Sequence, residues 1–242
     1  MTDFVQLWVY LSSTPLFGLT ATLVVYVSAQ AFYARMQQAP WANPVLWSVV
    51  VLAGALTLTG TAYPTYFSGA QFIHFLLGPA VVALGWPLWQ RRSALRARGA
   101  RFVAAALIGG TAAAGSAVLL AWALGLLHEV LLSLVPKSVT APVAMGVAEK
   151  IGGIPALAAV FAVVTGLVGA LSGKYLFDAI GIATDGNGWI ARGFALGTAS
   201  HGIGAARALQ VNAEAGAWAA LALGLQAVLA SVLIPLVSAI IG

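Results

Sequence analysis

The chain has 242 residues, of which 61% are hydrophobic and 7% charged, with a formal net charge of +5 and no cysteine. An ordinary globular protein is about 25% charged and about 45–50% apolar, so a water-facing surface could hardly be covered here, and lipid must be the solvent for most side chains. The lack of cysteine excludes disulfides, thiolate metal sites and cysteine nucleophiles.

A membrane crossing needs roughly 20 apolar helical residues, and the length of the chain suits about seven or eight such segments. An apolar lead-in at residues 4–13 ends at Ser13-Thr14-Pro15, and a first span follows over 16–34. Asn43 and Pro44 form a helix-start signal for a second span, 44–62, which Tyr63-Pro64 ends. A third span over 69–90 is interrupted at Gly78-Pro79 and closes with Trp86, Pro87 and Trp89, interface residues by type.

Next come Arg91, Arg92, Arg96, Arg98 and Arg101, five of the eleven basic residues. They read as a cytoplasmic loop over 91–101, a topology determinant lying near lipid headgroups rather than a nucleic-acid surface. This orientation puts Arg35 inside and the N-terminus outside. With Asp3 and no early basic residue, no cleavable leader is expected.

Residues 102–127 form a span rich in small residues, suited to close packing among helices. Between His128 and Gly153, Pro136 and Pro142 flank Lys137, so a continuous helix is not expected. A sixth span over 154–176 leads to a Gly/Asp/Asn loop at 178–188. Residues 189–211 have membrane length but are polar and glycine-broken, and the last span covers 215–241. Faint similarity between 15–90 and 154–241, separated by the basic loop and the connecting segments 102–153, suggests an inverted repeat of the kind found in secondary transporters. The expected fold is therefore an all-α polytopic membrane domain with two broken or re-entrant segments.

Chemistry concentrates in those two segments. A cation at the centre of a membrane helix costs about 2.5–3.5 kcal/mol and ordinarily faces a cavity or a partner. Lys137 and Arg207 are such cations, and helix breaks beside them would expose N–H groups that attract anions. Ser138, Thr140 and Ser200 are placed to add neutral hydrogen bonds, and His201 to contact substrate or carry a proton. Blander readings stand beside these: Lys137 snorkels to the interface, Arg207 pairs with Glu214 or Glu149, and His201 is a packing residue. His74 and His128 read as structural or interfacial, and the three histidines make a poor metal set. The adjacent Ser200 and His201 do not form a nucleophile and base pair on a helix, and no Ser-x-x-Lys, HExxH or P-loop signature is present. No enzyme activity and no cofactor is expected.

Pro136-Lys-Ser-Val-Thr-Ala-Pro-Val-Ala-Met145 with Gly152-Gly-Ile-Pro155, and Gly197-Thr-Ala-Ser-His-Gly-Ile-Gly-Ala-Ala-Arg-Ala-Leu209, closely resemble the LrgB/CidB/YohK family. Gly69-Ala-Gln-Phe72 and Leu76-Leu-Gly-Pro-Ala-Val-Val-Ala-Leu84 add to the resemblance, which covers roughly residues 16–238. It implies two expectations. One is a bacterial inner-membrane carrier of small monocarboxylates such as glycolate, glycerate, lactate or pyruvate; the paired broken segments and the faint repeat add alternating access to that expectation, with coupling to H+ or Na+ left open. The other is a holin-like or antiholin-like pore or regulatory subunit that affects murein hydrolase export and lysis with a small LrgA/CidA-type partner. A homo-oligomer suits either. The residues expected to hold a substrate are Lys137, Ser138, Thr140, Ser200, His201 and Arg207.

Overall fold

The structure, a computed structural model, describes residues 15–76, 79, 82, 85–90 and 92–241. Regular structure among these is helical throughout, and the chain divides into two compact units, Met1–Ala80 and Val81–Gly242. The apolar lead-in at 4–13 and the expected interruption at Gly78 lie outside the described residues.

In the first unit, α1 (Pro15–Arg35) packs against α2 (Pro44–Leu58) and α3 (Tyr63–Phe75). Asn43 starts α2 as its sequence position predicts: its Oδ1 accepts from the amides of Val45 and Leu46 at 2.9 and 3.2 Å. The helix ends at Leu58, earlier than expected, and Tyr63-Pro64 opens α3. The reason is steric, because proline in a first helical turn gives up an N–H that would be unpaired anyway. Gly18 lies on the backbone of Tyr66 and Ala70, where a Cβ would collide, and Thr22 Oγ1 bonds Tyr66 Oη at 2.6 Å. Small and hydroxyl side chains therefore draw α1 onto α3, as they do between helices in lipid.

The second unit runs α4 (Gly85–Gln90), α5 (Arg92–Ala123), α6 (His128–Leu134), α7 (Ala141–Ile151), α8 (Pro155–Ala179), α9 (Gly186–Val211) and α10 (Ala213–Ile241). The arginine-rich stretch expected as a loop is helical from Arg92 onward. Its Ala, Leu and Arg residues are strong helix formers, and Gly99 alone is too weak a breaker to end the helix.

Among the described residues, four stretches are long and apolar enough to cross a bilayer: Leu16–Arg35, Gly99–Ala123, Pro155–Ala179 and Ala213–Ile240. On α8, Val160, Val164 and Val168 are exposed at intervals of four, a stripe suited to acyl chains. The opposite stripe, Ala158, Ala162, Gly166, Ala170 and Gly173, is buried and made of small residues. α9 packs against α8 and, most extensively, against α10. A Cβ on Gly193 or Gly197 would strike the backbone of Ala215 or Ala219, so this pair of glycines sets the close approach of α9 to α10. Phe102 from α5 joins the same core, its ring 5.4 Å from Phe194 and 5.0 Å from Trp218. α9, far less apolar than the α8 and α10 it packs against, is thus the most enclosed long helix of the unit.

Candidate functional site

Both segments that sequence reasoning singled out are broken. In the first, α6 has 7 residues and α7 has 11. At about 1.5 Å per residue neither approaches the ~30 Å of a hydrocarbon core. Ser133 ties α6 to the junction between α7 and α8, its Oγ donating to Glu129 O at 2.6 Å and accepting from the Ile154 amide at 2.7 Å. Gly152 takes a left-handed conformation (φ 85°) to end α7, Gly153 lies against the Ser133 backbone, and Pro155 starts α8. The Gly152-Gly-Ile-Pro155 motif is thereby a tight reversal.

Lys137 is half-buried on the turn between α6 and α7, its Nζ 3.5 Å from Ser138 Oγ. Ser138 is buried, and so is Thr140 Oγ1, which has no hydrogen-bond partner and does not cap α7 although Thr140 holds the capping position. An unpaired buried hydroxyl costs about 1–3 kcal/mol.

The second break falls at one residue. Within α9, His201 has φ 40° and ψ −133°, which divides the helix into 186–200 and 202–211. These angles are near those of the first central residue of a type II′ turn, a position dominated by glycine. Helix breaks free carbonyls at the end of the first half and N–H groups at the start of the second. The His201 ring is only 4% exposed, and its Nε2–H donates to Ala162 O at 2.7 Å. Gly166 and Gly169 on α8 make the room: a Cβ on the first would meet the imidazole, and on the second would collide with Ser200 Oγ. Ser200 is 2% exposed, and Arg207 is also buried, six residues after His201 and about 9 Å along the second half-helix. Nearby, Asn212 Oδ1 caps α10 through the amides of Glu214 and Ala215, and Glu214 Oε1 accepts from Trp218 Nε1 at 2.5 Å.

The structure brings Ser200 and His201 together on the glycine face of α8, and Lys137 beside Ser138 on the α6–α7 turn. Ser138 also lines a cavity of about 830 Å³ between α5, α6, α7 and α10, which Lys137, Thr140, Ser200, His201 and Arg207 do not line. Among the described residues no cluster of His, Cys, Asp or Glu could hold a metal ion.

Three further polar residues escaped sequence reasoning. Arg192 is a structural clamp: buried near the start of α9, it meets Asp178 at 2.7 Å, donates to Ile182 O and lies over the Phe177 and Trp189 rings. Thr198 and Gln226 are buried, and Thr198 Oγ1 and Gln226 Oε1 have no hydrogen-bond partner. A lone glutamine in the otherwise apolar 215–241 span was the available signal for Gln226.

Apolar helices of crossing length around an enclosed, broken polar helix define a multi-pass all-α membrane protein. The LrgB-like family model matches residues 22–240, and the chain belongs to that family. The Bacillus subtilis (strain 168) protein YxaC is 33% identical over 216 residues, 89% of this chain and 92% of its own. YwbG of the same organism is 34% identical over 212 residues, 88% and 92% of the two chains. The holin-like protein CidB of Staphylococcus aureus (strain N315) is 31% identical over 238 residues, 97% of each chain. No solved structure matches the chain.

Proposed function

We propose that this chain is the larger membrane subunit of a holin-like system that controls how readily small solutes cross the bacterial plasma membrane, acting with a small LrgA/CidA-type protein. One observation supports this reading: similarity to a protein named holin-like extends over 97% of both chains, so the likeness is to that protein's whole length and not to a part of it. The arginines at 91–101 would face the cytoplasm, consistent with the positive-inside rule.

The break at His201 favours a second reading, a secondary carrier for small monocarboxylates. Transporters place interrupted helices at the bilayer midplane, where half-helix ends meet substrate and coupling ions. Here the break lies inside the most enclosed helix of its unit, with Ser200, His201 and Arg207 buried. Lys137 and Arg207 would hold the carboxylate, Ser138, Thr140 and Ser200 would add neutral bonds, and His201 would move a proton or meet a substrate hydroxyl. Seven or eight crossings, an inverted repeat, homo-oligomerisation and alternating access belong to this reading.

Proteoliposomes separate the two. The purified chain, alone and with a co-reconstituted LrgA/CidA-type partner, is assayed for leakage of a trapped dye and for uptake of labelled glycolate, glycerate and pyruvate, with Lys137→Ala and Arg207→Ala in parallel. Partner-dependent, unsaturable leakage supports the holin-like subunit. Saturable, stereoselective uptake lost in both variants supports the carrier. Folded protein that does neither refutes both.

A further inference from the structure

We infer that the slot between α5 and α10 holds the acyl chains of one membrane phospholipid as a bound lipid, whether the chain works as a holin-like subunit or as a carrier. The two helices run parallel. The Phe102 and Trp218 rings lie 5.0 Å apart, and eight residues further along both helices Gly110 faces Gln226 so closely that a Cβ on the glycine would strike the amide. This second pair falls near the middle of both crossing stretches, Gly99–Ala123 and Ala213–Ile240. Beyond it the helices part. A Cβ on Gly115 would meet nothing, and a cavity of about 830 Å³ opens between the helices, with Leu132, Pro136 and Val139 of the α6–α7 segment as its third wall. The whole lining belongs to the second unit.

Length, width and chemistry single out the occupant. Lining residues run from Ala106 to Val118 on α5 and from Gln226 to Ser238 on α10, a rise of about 18 Å on each. One leaflet of hydrocarbon is about 15 Å deep, half of the ~30 Å core, so the slot suits tails from a single leaflet, the one away from the arginines that begin α5. A crossing helix needs the whole core, and the contact of Gly110 with Gln226 bars its way at mid-depth. Spreading about 830 Å³ over about 18 Å gives a mean width of about 8 Å. That is less than the ~10–12 Å of a helix with its side chains, yet enough for hydrocarbon chains, which touch at about 4–4.5 Å. The wall is Ala, Gly, Leu, Val, Ile and Pro apart from Thr111, His128, Ser138, Gln226 and Ser238, and it has no Asp, Glu, Lys or Arg. The Gln226 oxygen is sealed and makes no demand on the occupant. His128 is exposed at the start of α6, past the end of α5, and so stands at the rim, where a headgroup would lie. Protein on three sides would hold the tails longer than lipid lying along the exposed Val160, Val164 and Val168 of α8.

The test titrates the full chain in detergent with a phosphatidylcholine carrying a diazirine midway along one tail, irradiates it and maps the labelled peptides by mass spectrometry. The expected result is labelling of 111–118 and 229–238 that saturates at about one lipid per chain and is displaced by unlabelled phosphatidylcholine. It should exceed labelling of the α8 stripe about tenfold, the worth of about two extra buried methylenes. Gly115→Phe places a ring in the open slot without a clash at its Cβ, and should lower slot labelling about tenfold while leaving the α8 stripe as it was. Unsaturable labelling, equal labelling of slot and stripe, or slot labelling unchanged in folded Gly115→Phe would overturn the inference. Displacement of the label by an LrgA/CidA-type protein would overturn it in favour of a partner helix, and displacement by pyruvate in favour of a solute. The native-chain comparison of slot and stripe decides the matter even if the variant fails to fold.

Discussion

The backbone at His201 makes an unusual demand that a pair of substitutions can measure. A non-glycine residue in a sparsely populated region costs about 1–3 kcal/mol, and His201 occupies such a region at φ 40°, ψ −133° inside an otherwise helical run. His201→Ala and His201→Gly both remove the imidazole and its bond to Ala162 O. What they share is loss of a buried ring and a hydrogen bond, together about 2–4 kcal/mol. What separates them is the backbone. At an ordinary helix position glycine is about 1 kcal/mol worse than alanine. At 201 the alanine retains the strain and the glycine releases it, so the order should invert, with His201→Gly more stable by up to about 2 kcal/mol. Equilibrium unfolding of the two variants in mixed SDS micelles reads the difference directly. If His201→Ala proves the more stable by the usual helix margin, no strain is stored at the break. The functional readout divides differently: if the imidazole handles solute, both variants should lose solute passage alike while differing in stability.

Other expectations follow from single contacts. Gly197→Val drives a branched side chain into the backbone of Ala219 and should cost about 3 kcal/mol or more, read as loss of folded protein in the same unfolding assay. Asn43→Ala removes the cap of α2 and should cost about 1 kcal/mol, with Asn43→Asp close to neutral. Arg192→Leu should destabilise by about 2–3 kcal/mol because the buried guanidinium serves both Asp178 and Ile182 O. Asp178→Asn should cost under about 1 kcal/mol, since that carboxylate is 47% exposed and water screens its share of the pair. A double-mutant cycle on these two residues checks the asymmetry.

How much of the fold the sequence disclosed depended on the kind of physics involved. Helix starts at Pro15, Pro44 and Pro155 were legible because proline at a first turn and Asn43 before it are local signals that tertiary contacts do not overrule. The arginine-rich stretch was misread because charge density suggests a loop, whereas Ala-Leu-Arg composition favours helix and Arg side chains can reach the headgroups from one. Tyr63-Pro64 was read as a stop when it is equally a start, an ambiguity proline always carries at a helix boundary.

The candidate site was legible to the extent that breaks and charges are written in residue types. Glycines on both sides of His201 and prolines around Lys137 announced interrupted helices, and the interruptions are there. Which residue takes the strained conformation could not be read, because Gly202 beside it is the better candidate on intrinsic grounds. The packing accompanies the choice: Gly166 and Gly169 hollow the face of α8 opposite Ser200 and His201, and with the backbone turned at 201 the imidazole bonds Ala162 O. Such a selection lives in contacts 39 residues apart in sequence. Gln226 was hidden for the complementary reason: one amide in an apolar span reads as tolerated polarity until the structure places it on a cavity wall with its oxygen unpaired. In a protein whose surroundings are lipid, an unpaired buried polar atom is costlier than a misplaced apolar group, and among the described residues Thr140 Oγ1, Thr198 Oγ1 and Gln226 Oε1 are the buried side-chain atoms left in that state.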